Sequence, residues 1–180
     1  MTSDEQLILE LQQGSDAAFT ELFLRYRERV YGFFRRRMND AAKAEELAQE
    51  TFLAVLRAAQ RYEPRATFRA YLFGIAFNVL AAHRRKTALN KAQSDNAPDE
   101  VSDPSGTNPE IVIWVRQAVE RLEAAEREVL LLREFEELSY EEIAKILYVP
   151  VNTVRSRLFR ARMALREILA TKSENLGGRK

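Results

Sequence analysis

The sequence SYEEIAKILYVPVNTVRSRLFRAR, residues 139–162, contains two helical patterns separated by Pro150. Ser139 followed by Glu142 is a capping box, which predicts the start of the first helix. Pro150 prevents one continuous helix, because its ring disfavours helical backbone at the residue before it. The second pattern spaces its apolar residues by three or four, so that one face packs inward: Val154, Leu158, Ala161, Leu165 and Ile168. The stretch therefore predicts a helix-turn-helix.

The residues between these apolar positions are expected to point away from the core. They are Arg155, Ser156, Phe159, Arg160 and Arg162. A helix in the DNA major groove uses guanidinium groups for phosphates or guanine, a hydroxyl for either, and an apolar ring for the thymine methyl. The second helix is therefore a candidate DNA-reading element.

The charge distribution favours DNA binding over the alternative that these arginines only form a solvated helix face. Residues 151–180 contain eight basic and two acidic residues, a local charge of +6. Residues 120–142 contain nine glutamates and three arginines, a local charge of −6. The whole chain has a formal net charge of only +1. Positive charge is therefore concentrated on the element whose shape suits a DNA groove.

Composition and periodicity predict an all-α protein with two small helical domains. The chain has 180 residues, 46% of them hydrophobic, which is enough for packed cores. Long windows space apolar residues by three or four, and no stretch alternates as a strand would. Residues 88–110 hold three of the five prolines and predict a flexible linker. We therefore predict domains at 1–87 and 111–172 with a tail at 173–180; the alternative is one bundle with a long surface loop.

The residue content argues against several classes of protein. The chain has no cysteine, which excludes a disulfide framework and thiolate metal sites. It also lacks a signal peptide and any run of 18 apolar residues, so we expect a cytoplasmic protein that does not contact the membrane. His83, the only histidine, neighbours Arg84 and is expected to meet phosphate or solvent. Without a glycine-rich phosphate loop or a carboxylate cluster, we expect no enzyme activity, metal or cofactor.

The C-terminal sequence resembles the extracytoplasmic-function group of bacterial sigma factors, the minimal two-domain members of the sigma-70 family. The stretches EREVLLLREFEELSYEEIAKIL and VPVNTVRSRLFRARMALRE carry the resemblance. It implies that the second helix reads the −35 promoter element and that Arg133 makes a further DNA contact. The predicted −35 contacts are Arg133, Arg155, Ser156, Phe159, Arg160 and Arg162.

Several positions depart from the family pattern. Tyr148 stands where the family usually has glycine in the turn, and left-handed backbone at such a residue costs about 1–2 kcal/mol. Ala124 and Ala125 stand where the family often has proline. Tyr71 stands where tryptophan is more common, which keeps a ring that can stack. The turn at Tyr148 is therefore expected to be strained or reshaped.

The segment AKAEELAQETFLAVLRAAQRY, residues 42–62, resembles the family's helix that binds the polymerase clamp. Its apolar spacing places Leu47, Thr51 and Val55 toward the core. Without the resemblance, the acidic residues of this helix would be interpreted as a solvent-exposed face. The resemblance implies docking on a basic helix pair of core RNA polymerase through Glu46, Gln49, Glu50 and Leu53.

The segment RATFRAYLFGIAFNVLAAHRRK, residues 65–86, mixes aromatic and basic residues. Such a mixture suits single-stranded DNA, since each ring that stacks on an unpaired base contributes about 1–3 kcal/mol while cations follow the backbone. The resemblance makes this the region that recognises and melts the −10 element, with the loop 62–68 and Asn78 holding a flipped-out base. The predicted −10 contacts are Arg65, Phe68, Tyr71, Asn78, Arg84, Arg85 and Lys86.

The resemblance implies a sigma factor that binds the β′ clamp and β flap of core RNA polymerase, directs it to promoter DNA and promotes DNA opening. An anti-sigma factor is a further candidate partner. Two alternatives stay open. A stand-alone helix-turn-helix regulator would bind a palindromic site unaided, and would leave residues 68–86 unexplained. An inactive sigma-like decoy would occupy polymerase without reading promoters.

Overall fold

The computed structural model describes residues 2–91 and 109–177, and all regular structure within these ranges is helical. The chain divides into two compact units, Met1–Ser102 and Asp103–Lys180. Each unit has a hydrophobic core of its own. The all-α prediction is confirmed. None of the helices in the described ranges is long and apolar enough to cross a membrane.

The N-terminal unit contains four helices. They are α1 (Asp4–Gln12), α2 (Asp16–Arg35), α3 (Ala41–Ala58) and α4 (Phe68–Lys91), with a 3₁₀ turn at Ala59–Arg61 after α3. α2 packs against α1 and α3, and α3 packs against α4. The apolar residues that the sequence spaces by three and four on α2 and α3 form much of the core.

Polar caps explain where these helices begin. The side chains of Ser3, Ser15 and Asp40 each accept the backbone N–H of the residue three positions on. Thr67 does the same for α4, where its Oγ1 accepts the Ala70 N–H at 3.2 Å. Each cap satisfies a donor that the first turn of a helix leaves without a partner.

Aromatic rings dominate the core of the N-terminal unit. Phe33 meets Phe34 edge-on with ring centres 5.1 Å apart and lies 5.7 Å from Phe73. Tyr26 is also buried, and its hydroxyl donates to Asp4 at 2.5 Å. Burial, helped by this hydrogen bond, raises the pKa of Tyr26 to about 12. Asp4 also binds Arg25 at 2.7 Å, so α1 is fixed to α2 at its first residue.

The C-terminal unit contains α5 (Pro109–Glu120), α6 (Ala124–Glu134), α7 (Tyr140–Leu147) and α8 (Val151–Gly177). The predicted capping box is confirmed: Ser139 Oγ accepts the Glu142 N–H at 3.2 Å, and the Glu142 side chain accepts the Ser139 N–H at 2.8 Å. α6 and α7 both pack against α8. The predicted helix-turn-helix is therefore formed by α7 and α8.

The turn between α7 and α8 passes through Tyr148 with left-handed backbone, φ 54° and ψ 45°. The Val149 N–H donates to the Ala144 carbonyl at 3.1 Å, which is the bond that ends a helix through a left-handed residue. The side chain of Tyr148 is 86% exposed, so burial of the ring offsets little of the backbone strain. The strain that the sequence predicted is therefore present, and the turn keeps its geometry without glycine.

Three helices extend past the predicted domain bounds. α4 continues through residues 88–91 and α5 begins at Pro109, so both ends of the predicted linker 88–110 are helical. The first helical position tolerates proline, because the missing N–H has no helical partner there. α8 continues to Gly177 through most of the predicted tail. The rest of the linker, residues 92–108, and the last residues of the tail, 178–180, lie outside the described residues.

We expect Tyr148→Gly to raise the free energy of unfolding of the C-terminal unit by about 1 kcal/mol, because glycine adopts left-handed backbone without a Cβ clash. Urea denaturation followed by the fluorescence of Trp114, the chain's only tryptophan, measures this unit. Tyr148→Ala is the control: it keeps the Cβ and removes the exposed ring, so it should match the original chain. A loss of stability in the glycine variant would contradict the strained turn.

Candidate nucleic-acid and polymerase interfaces

The first three turns of α8 present an exposed face opposite their buried face. Val154, Leu158 and Ala161 are buried against α6 and α7, while Arg155, Ser156 and Phe159 are exposed. The Phe159 ring is 66% exposed, so an apolar surface is available beside the polar side chains. Ser156 donates its hydroxyl to the Thr153 carbonyl at 3.1 Å and keeps acceptor capacity. These predicted −35 contacts therefore share one surface.

The sequence analysis missed Asn152 on this same face. Asn152 is exposed and stands three, four and seven positions before Arg155, Ser156 and Phe159, so helical geometry places all four side by side. An asparagine can make a bidentate contact with adenine in the major groove. Its helical spacing from Arg155 was visible in the sequence, but it lacks the charge that drew attention to the arginines.

Arg160 and Arg162 lie beside this face and are engaged within the unit. Arg160 Nε lies 2.7 Å from Glu126 Oε1, and Arg162 lies 2.7 Å from Glu134 Oε1. Glu126 is buried, whereas Glu134 is about half exposed. The hydrogen bond to Glu134 raises the pKa of Arg162, which stays charged at every relevant pH. Both arginines therefore tie α8 to α6, a role that the sequence analysis did not anticipate.

Arg133 is half-buried at the end of α6. It donates to the Leu138 carbonyl at 2.7 Å, and its guanidinium lies 5.3 Å from the centre of the Tyr140 ring. These contacts hold the connection between α6 and α7. Arg133 therefore already has partners within the unit. A DNA contact through its remaining N–H groups stays a prediction.

The predicted −10 loop, residues 62–68, projects from the N-terminal unit between the 3₁₀ turn and α4. Residues 63–67 are exposed, while Tyr62 is buried and lies edge-on to Tyr71 with ring centres 5.0 Å apart. The Tyr62 hydroxyl donates to the Ala66 carbonyl at 3.1 Å, across the loop. Burial raises the pKa of both tyrosines, so both hydroxyls stay protonated at neutral pH. Arg65 stands at the exposed tip, paired with Glu63 at 2.7 Å.

The structure corrects the prediction for Phe68. Its ring is only 1% exposed and lies 5.5 Å from Tyr26 and 6.4 Å from Tyr71. Phe68 is therefore a core residue at the start of α4, with no open face for a base to stack on. Helical spacing accounts for this position, since Phe68 stands four residues before Leu72 and eight before Ala76, both of them buried on the same face of α4.

The other predicted −10 residues lie along α4. Tyr71, Asn78 and Arg85 follow one another at intervals of seven residues, or about two helical turns, so they lie on one side of α4. The opposite side is buried and contains Leu72, Phe73, Ala76 and Leu80. Asn78 and Arg85 are exposed and Tyr71 is half-buried. This row spans about 21 Å at 1.5 Å per residue. The structure therefore offers an extended track rather than one compact pocket.

Arg84 and Lys86 are exposed but flank this row on opposite sides of α4. On α3, the hydrogen bond from Lys43 lowers the pKa of Glu46, and the positive charge of Lys43 adds to this effect. The basic cluster is therefore divided: Arg85 continues the row of Tyr71 and Asn78, whereas Arg84 and Lys86 lie to either side of it.

The predicted docking residues share an exposed face of α3. Glu46, Gln49, Glu50 and Leu53 are all exposed, and Leu47, Thr51 and Val55 are buried on the other side. Leu53 is 50% exposed, and the neighbouring Leu56, which the sequence analysis missed, is 37% exposed. The face thus combines an acidic half with an apolar half. A groove lined by Phe23, Tyr31, Gln49 and Phe52, among others, borders it between α2 and α3.

No group of His, Cys, Asp or Glu side chains in the described part of the chain is arranged to hold a metal ion.

Two family profiles match the chain, one over each unit. The profile described as sigma-70 region 2 matches residues 22–89, and the one described as sigma-70 region 4 matches residues 113–165. The first covers most of α2 and all of α3, together with the −10 loop and most of α4. The second contains the helix-turn-helix of α7 and the first half of α8.

Similar proteins cover nearly the whole chain. The RNA polymerase sigma-H factor of Pseudomonas aeruginosa is 36% identical, over 92% of this chain and 93% of that protein. The chain belongs to the extracytoplasmic-function sigma factors of the sigma-70 family. The sigma-E factor of Escherichia coli, another such protein, is 32% identical over 91% of this chain and 92% of its own length.

A solved structure of a sigma factor has a similar fold. The sigma factor RpoE from Bartonella quintana, crystallised with the anti-sigma factor NepR, is 25% identical with a TM-score of 0.75, over 84% of this chain and 96% of that one. The resemblance stated from the sequence motifs is therefore confirmed.

We expect Arg160→Ala to lower the free energy of unfolding of the C-terminal unit by about 1–3 kcal/mol, because it leaves the buried Glu126 carboxylate without its ion pair. Arg155→Ala should change it by less than about 0.5 kcal/mol, since Arg155 is exposed and has no ion pair in the described part of the chain. Urea denaturation followed by Trp114 fluorescence measures both. Equal losses in the two variants would contradict a structural role for Arg160.

Proposed function

We propose that this chain acts as a two-part promoter reader, in which the C-terminal unit reads the −35 duplex and the N-terminal unit captures the −10 strand. As a sigma factor, it binds core RNA polymerase and directs it to promoters. The catalytic chemistry is the polymerase's own, and the factor works in the cytoplasm, where the polymerase is.

One observation carries the −35 assignment: the exposed face of α8 that contains Arg155, Ser156 and Phe159. In a helix-turn-helix the second helix enters the major groove with its N-terminal residues toward the bases. These residues lie in the first two and a half turns of α8. Arg155 has no ion pair in the described part of the chain, so DNA contact does not require it to break one. We assign Arg160 and Arg162 to the edge of the contact, where phosphates lie.

The exposed row on α4 supports the −10 assignment. Tyr71 offers part of a ring, Asn78 an amide with both donor and acceptor, and Arg85 a cation. The loop 63–67 with Arg65 stands next to the start of this row. We propose that a flipped base is held between this loop and α4 while the strand follows the helix toward Arg85. Phe68 supports the site from inside the core.

The exposed face of α3 is our candidate for docking on the polymerase clamp. Its acidic half, Glu46 and Glu50, suits a basic partner, and its apolar half, Leu53 and Leu56, can be desolvated on contact. An anti-sigma factor, as in the Bartonella quintana complex, is a further proposed partner.

The small size of the two DNA contacts predicts weak binding by the free factor. Each unit neutralises few phosphates, and only attachment to polymerase combines the two contacts through effective concentration. A stand-alone regulator would instead bind its site tightly without polymerase. No observation favours that alternative or the decoy.

The central test is run-off transcription with core bacterial RNA polymerase, with and without this protein, on the promoter upstream of its own gene and on a control template. We expect a transcript with a defined start site only when the protein is added. Polymerase binding without a transcript on any promoter would favour the decoy. Absence of polymerase binding, with tight DNA binding by the free chain, would favour the stand-alone regulator.

We expect Arg155→Ala to weaken holoenzyme binding to the −35 element by about 5- to 150-fold, the equivalent of 1–3 kcal/mol for one specific base contact. Competition between templates with the natural and a scrambled −35 element measures this, because only the natural element should lose affinity. Arg121→Ala is the matched control, since it removes the same charge from an exposed position outside the helix-turn-helix. Equal effects of the two variants, or equal losses on both templates, would argue against base reading by Arg155.

A further inference from the structure

Both ends of the −10 loop are held by side chains of α1. These hydrogen bonds join residues between 47 and 63 positions apart in the chain. α1 ends at Gln12, before the region 2 profile begins at residue 22, so nothing in the family match assigns a role to it. The loop between the two attachments is the segment proposed above to read the −10 element.

Gln12 holds the start of the loop. Its side-chain amide nitrogen donates one hydrogen bond to the Ala59 carbonyl and another to the Tyr62 carbonyl, both at 2.9 Å. A primary amide has two N–H donors, so this group is fully used. Gln60 donates back to the Gln12 carbonyl at 2.9 Å. Gln12 therefore fixes the position of Tyr62, whose hydroxyl spans the loop to Ala66 and whose ring contacts Tyr71.

Glu5 holds the end of the loop. Its carboxylate accepts the backbone N–H of Phe68, the first residue of α4, at 3.1 Å. The neighbouring Asp4 is fixed by Arg25 and Tyr26, so the first turn of α1 is rigidly attached to α2. Because α1 is attached to α2, the hydrogen bond from Glu5 fixes the end of the loop, where α4 begins, relative to α2.

The side chains of the loop are exposed to solvent at residues 63–67. The Tyr62 hydroxyl donates to the Ala66 carbonyl, the Arg65 N–H donates to the Glu63 carbonyl at 2.7 Å, and the side chains of Arg65 and Glu63 form an ion pair. Thr67 caps α4. An exposed five-residue segment without fixed ends would sample many conformations and lose that freedom on binding a base. Two attachments made from one rigid helix reduce this loss.

We propose that Gln12 and Glu5 are positioning residues for −10 recognition: α1 acts as a brace that holds the base-reading loop in its binding conformation. The inference rests on the proposed role of the loop 62–68. It predicts that loss of the brace weakens discrimination between −10 sequences, beyond any effect on folding.

The variants at Gln12 distinguish the loss of its N–H donors from a change in side-chain size. The variants at Glu5 distinguish the loss of a hydrogen-bond acceptor from the loss of negative charge. Gln12→Ala removes both donors, and Gln12→Glu keeps the size but places a carboxylate against two carbonyl oxygens. Glu5→Ala removes the acceptor, whereas Glu5→Gln keeps an oxygen that can accept the Phe68 N–H. Gln13→Ala is the matched control, because Gln13 is the next residue, of the same type, with an exposed side chain.

The measurement is the ratio of initiation rates by reconstituted holoenzyme on the natural promoter and on templates with single −10 base substitutions. A structural defect alone lowers both rates together, so the ratio does not move below the unfolding temperature. We expect Gln12→Ala, Gln12→Glu and Glu5→Ala to reduce the ratio by about fivefold or more, since small misplacements of binding groups have large effects. Glu5→Gln and Gln13→Ala should keep it.

A loop variant with residues 63–66 replaced by glycine and serine makes the two proposals separable. If this variant reduces the ratio and the three brace variants do not, the brace inference is wrong while the loop's function stands. If the loop variant keeps the ratio, the loop does not read the −10 element, and both proposals fail. A reduced ratio in the loop and brace variants, with both conservative controls unchanged, supports the brace.

Discussion

Burial of Val154, Leu158 and Ala161 against α6 and α7 is the constraint on which the DNA-reading surface depends. An α-helix turns by about 100° per residue, so a fixed inner face also fixes the outer one. Core packing therefore decides that Asn152, Arg155, Ser156 and Phe159 point outward together. The turn at Tyr148 sets where this helix begins, and its left-handed backbone is retained although the residue is not glycine.

The same constraint operates on α4, where Leu72, Phe73, Ala76 and Leu80 are buried and the opposite side carries Tyr71, Asn78 and Arg85. The loop before α4 adds a second requirement, since its residues 63–67 are all exposed and only its ends, Tyr62 and Phe68, are buried. Hydrogen bonds from α1 also hold these ends. The two proposed reading surfaces thus differ in one respect: the loop is held by polar contacts from a helix that is distant in the sequence.

Local patterns in the sequence predicted what depends on local physics. The capping box at Ser139, the turn at Pro150, the strain at Tyr148 and the exposed face of α3 all follow from residues within one or two helical turns. The partners of Phe68 and Gln12 are distant in the chain, since the Phe68 ring lies against Tyr26 and Gln12 bonds to Tyr62, about 40 to 50 residues away. Neither residue type identifies its partner from the sequence.

The acidic segment before the helix-turn-helix also changes the electrostatic argument. This segment, residues 120–142, carries a local charge of −6, whereas residues 151–180 carry +6. In the structure, Glu126 and Glu134 from that segment pair with Arg160 and Arg162, so part of the positive charge is neutralised within the unit. The field available to attract DNA is therefore smaller than the local count suggests. This smaller field agrees with our proposal that the free factor binds DNA weakly and that attachment to polymerase supplies the remaining affinity.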